Sequence, residues 1–154
     1  MHLCYWFFDI IQVMKRVAKL LLRDGDGNYL LLYRSDHPSF PGDADLPGGT
    51  LEDNEEPARA LIRELSEETG IALRQQTLEK LYESDAYDKD YLYYLYNVTL
   101  NNRPKVSISW EHSSYEWLPF ADFIARAHTA KDKYMHMVYE CLSQNYNLES
   151  KSSK

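Results

Sequence analysis

The sequence predicts an α/β domain, and three observations carry that expectation. One strongly capped amphipathic helix sits near the middle of the chain. Short runs rich in leucine, tyrosine and β-branched residues flank it on both sides. Two further helical patterns close the chain. With 154 residues and 44% hydrophobic content, there is enough apolar material for one ordinary core.

Residues 1–14, reading M-H-L-C-Y-W-F-F-D-I-I-Q-V-M, are apolar but interrupted by His2, Asp9 and Gln12. The run is too short to span a bilayer, and it lacks a basic leader and a small-residue cleavage site. It reads as an N-terminal extension that packs on the domain or forms a homodimer contact. The domain proper is expected over residues 15–146, with a polar, disordered tail at 147–154.

Arg16–Leu22 and Tyr29–Tyr33 read as two buried strands joined by the Asp24-Gly25-Asp26-Gly27-Asn28 turn. An EF-hand loop would need a bidentate glutamate further on, which is missing, so a hairpin is expected there. Arg34 closes the second strand and faces the long loop Ser35–Asp45. Pro47-Gly48-Gly49 then forms a turn in which absent side chains let backbone approach backbone or ligand.

The central helix follows. Asn54 is the expected N-cap, Glu55 and Glu56 suit the positive helix start, and Pro57 suits the first turn. Gly70 supplies the left-handed stop. Ala58, Leu61, Ile62 and Leu65 form an apolar stripe, with Glu64, Glu67 and Glu68 on the flank beside it. The small Ala60, one turn before Glu64, is expected to leave room above the carboxylates. Like charges at this spacing repel, and hard divalent cations, which take closely held oxygen ligands, remove that cost. A solvated acidic face is the alternative reading of the three glutamates alone.

After the helix, Gln76–Tyr87 reads as a strand and loop, and Tyr91–Leu100 as a strand dense in tyrosine. Val106–Trp110 is expected as a further strand, leading into the acidic segment that begins at Glu111. His112 reads as a surface histidine at a strand end, with a hydrogen bond to a phosphate as the alternative. Residues 121–126 and 131–144 are expected to be helical, with Tyr134, Met137, Val138, Cys141 and Leu142 as the inner stripe of the second helix.

The spacing Gly49, then Glu55 after five residues, then Arg63-Glu64-Leu65-Ser66-Glu67-Glu68-Thr69-Gly70-Ile71 after seven more, resembles the Nudix box at every defining position. That resemblance to the MutT-like Nudix hydrolases implies an α/β/α sandwich with a mixed β-sheet between helices, and metal-dependent cleavage of a diphosphate linkage, usually in a nucleoside di- or triphosphate or a derivative. It implies Mg²⁺, with Mn²⁺ able to substitute, held by Glu64, Glu67, Glu68, Glu55 and the Gly49 carbonyl. Glu55 is alternatively the partner that positions Arg63. Catalytic roles fall to Glu64, Arg63 and Glu111, with Glu64 and Glu111 as the two candidates for general base. Arg34, Gly48 and Tyr87 are the expected substrate contacts, a strand-end surface charge being the alternative reading of Arg34; Tyr87 stands where dinucleoside polyphosphate hydrolases tend to carry a tyrosine. No subfamily is assigned. A nucleotide-sensing module without activity is the alternative.

A net charge of −7 argues against a surface built for nucleic-acid backbone. Metal ions would supply the positive charge for polyphosphates. Cys4 and Cys141 have no metal-type spacing and read as buried free thiols, consistent with a reducing cytoplasmic location.

Overall fold

A computed structural model describes residues 14–36, 39–74, 77–86 and 88–152; residues 1–13 of the N-terminal extension and Tyr87 lie outside them. The strands are β1 Lys15–Arg23, β2 Tyr29–Arg34, β3 Ala44–Asp45, β4 Gly48–Thr50, β5 Glu79–Ser84, β6 Tyr91–Thr99 and β7 His112–Leu118. The helices are α1 Pro57–Thr69, α2 Phe120–Thr129 and α3 Lys133–Ser152.

All strands belong to one mixed sheet with β1 at its centre. β6 runs parallel to β1 along its whole length, from Lys15 opposite Tyr91 to Arg23 opposite Thr99, and β5 extends the sheet antiparallel to β6. On the other edge β1 meets β2 at Arg23–Tyr29, then β4 through Val17–Thr50, Ala18–Gly49 and Lys19–Gly48. β2 peels away to pair with β3 and β7. The β1–β2 connection is the expected hairpin. Its turn is closed by the Asp24 carboxylate, which accepts from the amides of Asp26 and Asn28 at 3.0 and 2.8 Å.

The leucine runs make sense because both sheet faces are covered. A strand in the middle of a sandwich alternates between two cores and therefore reads as continuously apolar. Leu20 and Leu22 of β1, Leu30 and Leu32 of β2, and Tyr94 and Val98 of β6 pack with Leu61 and Leu65 of α1. The intervening Leu21, Leu31, Tyr93 and Leu95 pack with Phe123, Tyr134, Met135 and Val138 of α2 and α3. The architecture is the expected α/β/α sandwich. Each fully buried leucine contributes roughly 1.5–3 kcal/mol.

Several local expectations are corrected. The N-cap of α1 is Glu56, not Asn54, which instead takes a positive φ of 59° in the turn before the helix. The cap makes no side-chain hydrogen bond, and Pro57 starts the helix without an amide to satisfy. Gly70 terminates it at φ 70° as expected. Ala60 leaves no room above the glutamates, since it is 1% exposed and packs in the core with Leu61.

Val106–Trp110 is not a strand. Its backbone is satisfied by the end of α1, with the Ser107 and Ser109 amides donating to the carbonyls of Thr69 and Glu68 at 2.9 Å each. α3 continues to Ser152, through the residues whose composition suggests a disordered tail; once a helix is nucleated, each added residue gains a bond. Among the described residues no helix is long and apolar enough to cross a membrane.

Candidate active site

The carboxylate face of α1 opens onto a cavity of about 730 Å³. Its lining includes Glu64, Glu67 and Glu68 of α1, Gly48, Gly49 and Thr50 of β4, Tyr91 and Tyr93 of β6, and Glu111 and His112 at the start of β7. Arg34, Phe40, Asp45, Asp132 and Lys133 complete much of the remaining wall. Gly48, Gly49, Glu64, Glu67, Glu68, Glu111 and Arg34 are thus brought together as expected. Glu55 and Arg63 stand behind them.

The glycine turn is required by close approach. A Cβ on Gly48 would sit 2.2 Å from the Ala18 carbonyl oxygen and 2.9 Å from Leu61, and its φ of 122° is closed to other residues. A Cβ on Gly49 would instead meet the Glu64 carboxylate at 3.2 Å. The turn therefore lets α1 lie against β1 and β4 with Glu64 directly over the backbone.

Arg63 organises the outer carboxylates. Its Nε and one terminal nitrogen donate to the two oxygens of Glu55 at 3.0 Å each, while its other nitrogen reaches Glu64 at 2.7 Å and Glu67 at 3.4 Å. The bidentate bond to Glu55 is the strongest cause raising the Arg63 pKa and lowering that of Glu55. Both Glu55 oxygens are engaged, an arrangement that suits a positioning role better than ligation.

Glu68 is different. It is buried, and one of its oxygens accepts the Gly48 amide at 2.8 Å. Burial pushes its pKa up to about 7, against the opposing pull of Lys19 and the Gly48 amide. Glu67, with 62% of its side chain exposed, faces solvent.

A buried charge network lies beneath this face, and sequence reading missed most of it. Lys19 donates to the carbonyls of Leu46 and Gly48 at 3.0 and 2.7 Å and pairs with Asp45 at 2.9 Å. Burial alone would lower the Lys19 pKa, but Asp45 and Glu68 outweigh it and raise it. Burial likewise disfavours ionised Asp45, yet Lys19, His112 and Arg34 hold its pKa well below the usual range. Arg34 is not a free surface cation: it pairs with Asp45 at 3.1 Å and Asp132 at 2.6 Å and donates to the Ser39 carbonyl. His112, read as a surface residue, is 6% exposed; its Nε2 lies 4.0 Å from Asp45, and its Nδ1 is buried without a hydrogen-bond partner among the described residues. One signal was present, since a lysine interrupts the apolar run of β1, but it does not name the partners that Lys19 meets.

The donors suit a hard divalent ion in kind, being carboxylates around one cavity. Among the described residues, however, no group of three or more His, Cys, Asp or Glu side chains is gathered closely enough to hold an ion. Arg63 accounts for part of this by drawing Glu64 and Glu67 to its guanidinium.

Comparison with known proteins places this geometry in context. The family model described as "NUDIX domain" matches residues 14–138. An 8-oxo-dGTP diphosphatase of Proteus vulgaris is 42% identical over 62 residues, covering 40% of this chain and 55% of that protein. Diphosphoinositol polyphosphate phosphohydrolase 2 of Homo sapiens is 30% identical over 115 residues, covering 71% of this chain and 60% of that one. The matches thus span just over half the length of these curated relatives. Among solved structures, a MutT protein from Methanosarcina mazei superposes with a TM-score of 0.65 at 22% identity, covering 86% of this chain and 95% of that one. A bifunctional NMN adenylyltransferase/ADP ribose pyrophosphatase from Francisella tularensis, complexed with AMP and a Mn ion, gives a TM-score of 0.63 at 25% identity, covering 83% of this chain and 42% of that one.

Proposed function

Because the chain belongs to the NUDIX domain family, we propose that it is a metal-dependent hydrolase of a diphosphate linkage in a nucleoside di- or triphosphate or a derivative. The observation that carries this reading is the convergence of Glu64, Glu67 and Glu68 on one cavity that also holds the rings of Phe40, Tyr91 and Tyr93.

A divalent cation, Mg²⁺ or Mn²⁺, held by Glu64, Glu67 and Glu68 would neutralise the phosphate oxygens and acidify the attacking water. The Gly48–Gly49 turn is the proposed backbone contributor to the ligand set, with the Gly48 carbonyl accepting from Lys19 and Gly49 paired with Ala18 across β4 and β1. Glu55 fixes Arg63, and Arg63 fixes Glu64. Glu64 and the exposed Glu111 are the candidates to accept the water's proton, one held by Arg63 and the other on the loop side of the cavity. Arg34 and Gly48 are the proposed substrate contacts.

The two kinds of curated relative differ in substrate, and charge favours the nucleotide. A diphosphoinositol polyphosphate carries dense negative charge and needs many free cations. Here the lining offers Lys19, Arg34 and Lys133 against Asp45, Glu64, Glu67, Glu68, Asp88, Glu111 and Asp132. Lys19 and Arg34 are already paired. Aromatic rings beside a carboxylate cluster suit a base at one end and a metal-neutralised phosphate chain at the other. The test is a panel of nucleoside triphosphates, ADP-ribose, dinucleoside polyphosphates and a diphosphoinositol polyphosphate with Mg²⁺, following phosphate or pyrophosphate release. A nucleotide is expected to turn over fastest. A diphosphoinositol polyphosphate outpacing every nucleotide would overturn the assignment.

A further inference from the structure

Resting on the nucleotide reading, we propose that Phe40 is the specificity-determining residue that receives the nucleobase. Phe40 lines the cavity, yet it is 41% exposed and belongs to neither core. Its φ is 57°, a left-handed conformation that bulky residues rarely adopt and that persists only where the surroundings over-determine it.

The surroundings do so here. Arg34 donates to the Ser39 carbonyl at 3.3 Å, and the Gly42 amide returns to the Arg34 carbonyl at 2.9 Å. The Asp43 amide donates to the Phe40 carbonyl at 3.1 Å. The Asp43 carboxylate then accepts the amides of Lys131 and Asp132 at 2.8 and 3.1 Å, tying the loop to the turn before α3. An unfavourable conformation held from both sides, with an apolar ring left in solvent at a cavity wall, calls for a ligand surface that the ring can cover.

The other rings are committed. Tyr93 is stacked by Tyr91 at 5.7 Å and met edge-on by Tyr134 at 5.2 Å. Among the described residues Phe40 stacks on no other ring. A planar heterocycle on its face is the matching ligand, because stacking tolerates any base but not its absence. Phe40 should therefore separate base-bearing polyphosphates from baseless ones. Trp110, at 85% exposure, is the larger exposed ring but does not line the cavity, and so serves as the control.

The experiment measures binding of an imido-bridged, uncleavable nucleoside triphosphate and of inorganic tripolyphosphate by calorimetry with Mg²⁺. Phe40→Ala is expected to weaken the nucleotide analogue by roughly five- to a hundredfold, the loss of one base stack, and to leave tripolyphosphate unchanged. Phe40→Trp should restore binding, and Trp110→Ala should match wild type. Phe40→Gly relieves the positive φ and should melt no lower than wild type while binding as weakly as Phe40→Ala. Wild-type nucleotide affinity in Phe40→Ala, or an equal loss for tripolyphosphate, would overturn the assignment of Phe40 alone. No nucleotide binding by wild type would remove both this assignment and the nucleotide reading.

Discussion

The Gly48 amide donates to the Glu68 carboxylate at 2.8 Å, so a buried bond joins the glycine turn to the carboxylate face of α1. The same turn is held from beneath by Lys19, which takes the Gly48 carbonyl. Gly48 is thus held at both its amide and its carbonyl, and the position of Glu68 depends on it.

The first prediction concerns the two glycines. Gly48→Ala places a methyl group against the Ala18 carbonyl and forbids the native φ, and is expected to cost about 3 kcal/mol or more. Gly49→Ala meets the movable Glu64 carboxylate first and should fold nearly as well while losing activity. Chemical denaturation beside turnover separates the two. Equal stability losses would contradict the geometry.

Glu68 makes a prediction in pH. Its folded pKa, raised to about 7, means that the folded chain holds a proton that the unfolded chain releases at the ordinary carboxyl value. Stability from that proton is complete below the ordinary range and lost as pH rises through about 7. Glu68→Gln should therefore raise the melting temperature at pH 8 and change it little at pH 4. A gain of equal size at both pH values would count against a raised pKa.

Arg34→Ala should impair two properties at once. It strips Asp45 and Asp132 of a shared partner and loosens the loop at Ser39, for an expected stability loss of about 3 kcal/mol. It should also raise KM for nucleotides, by roughly tenfold or more if a charge-assisted phosphate contact is lost. Thermal melts and steady-state kinetics report the two effects separately. A variant that melts and turns over like wild type would reduce Arg34 to a bystander.

Most of the fold was legible. The leucine triplets of β1 and β2 spell a sheet covered on both faces, and Pro57 and Gly70 bracket α1 as their chemistry requires. The outer site was legible too, because Glu64, Glu67 and Glu68 lie on one helix at local spacing. The inner network was not: Lys19, Asp45, His112 and Asp132 come from four places in the chain and meet only once the sheet has formed. Val106–Trp110 misled for a similar reason, since its backbone partners are helix carbonyls at Glu68 and Thr69 that no local pattern announces. Asn54 had the chemistry of a cap but sits in a left-handed turn ahead of Glu56.

If the glutamate face holds a cation, Mg²⁺ should stabilise the folded chain by mass action, by about 2.7 kcal/mol at a hundredfold excess over Kd. The melting shift should shrink in Glu64→Gln. An identical shift from NaCl at matched ionic strength would reduce the effect to screening of an acidic surface.

The most direct test of the central claim is the initial rate of nucleoside triphosphate hydrolysis against Mg²⁺ concentration, for wild type beside Glu67→Gln. Glu67 is exposed, and among the described residues its carboxylate pairs with Arg63 alone, at 3.4 Å, so its replacement should leave the fold and melting temperature intact. Wild type should show Mg²⁺-dependent turnover that chelation abolishes, and the variant should fall by orders of magnitude at saturating metal. Equal turnover in the two proteins, or wild-type turnover untouched by chelation, would contradict a metal-dependent hydrolase built on this face.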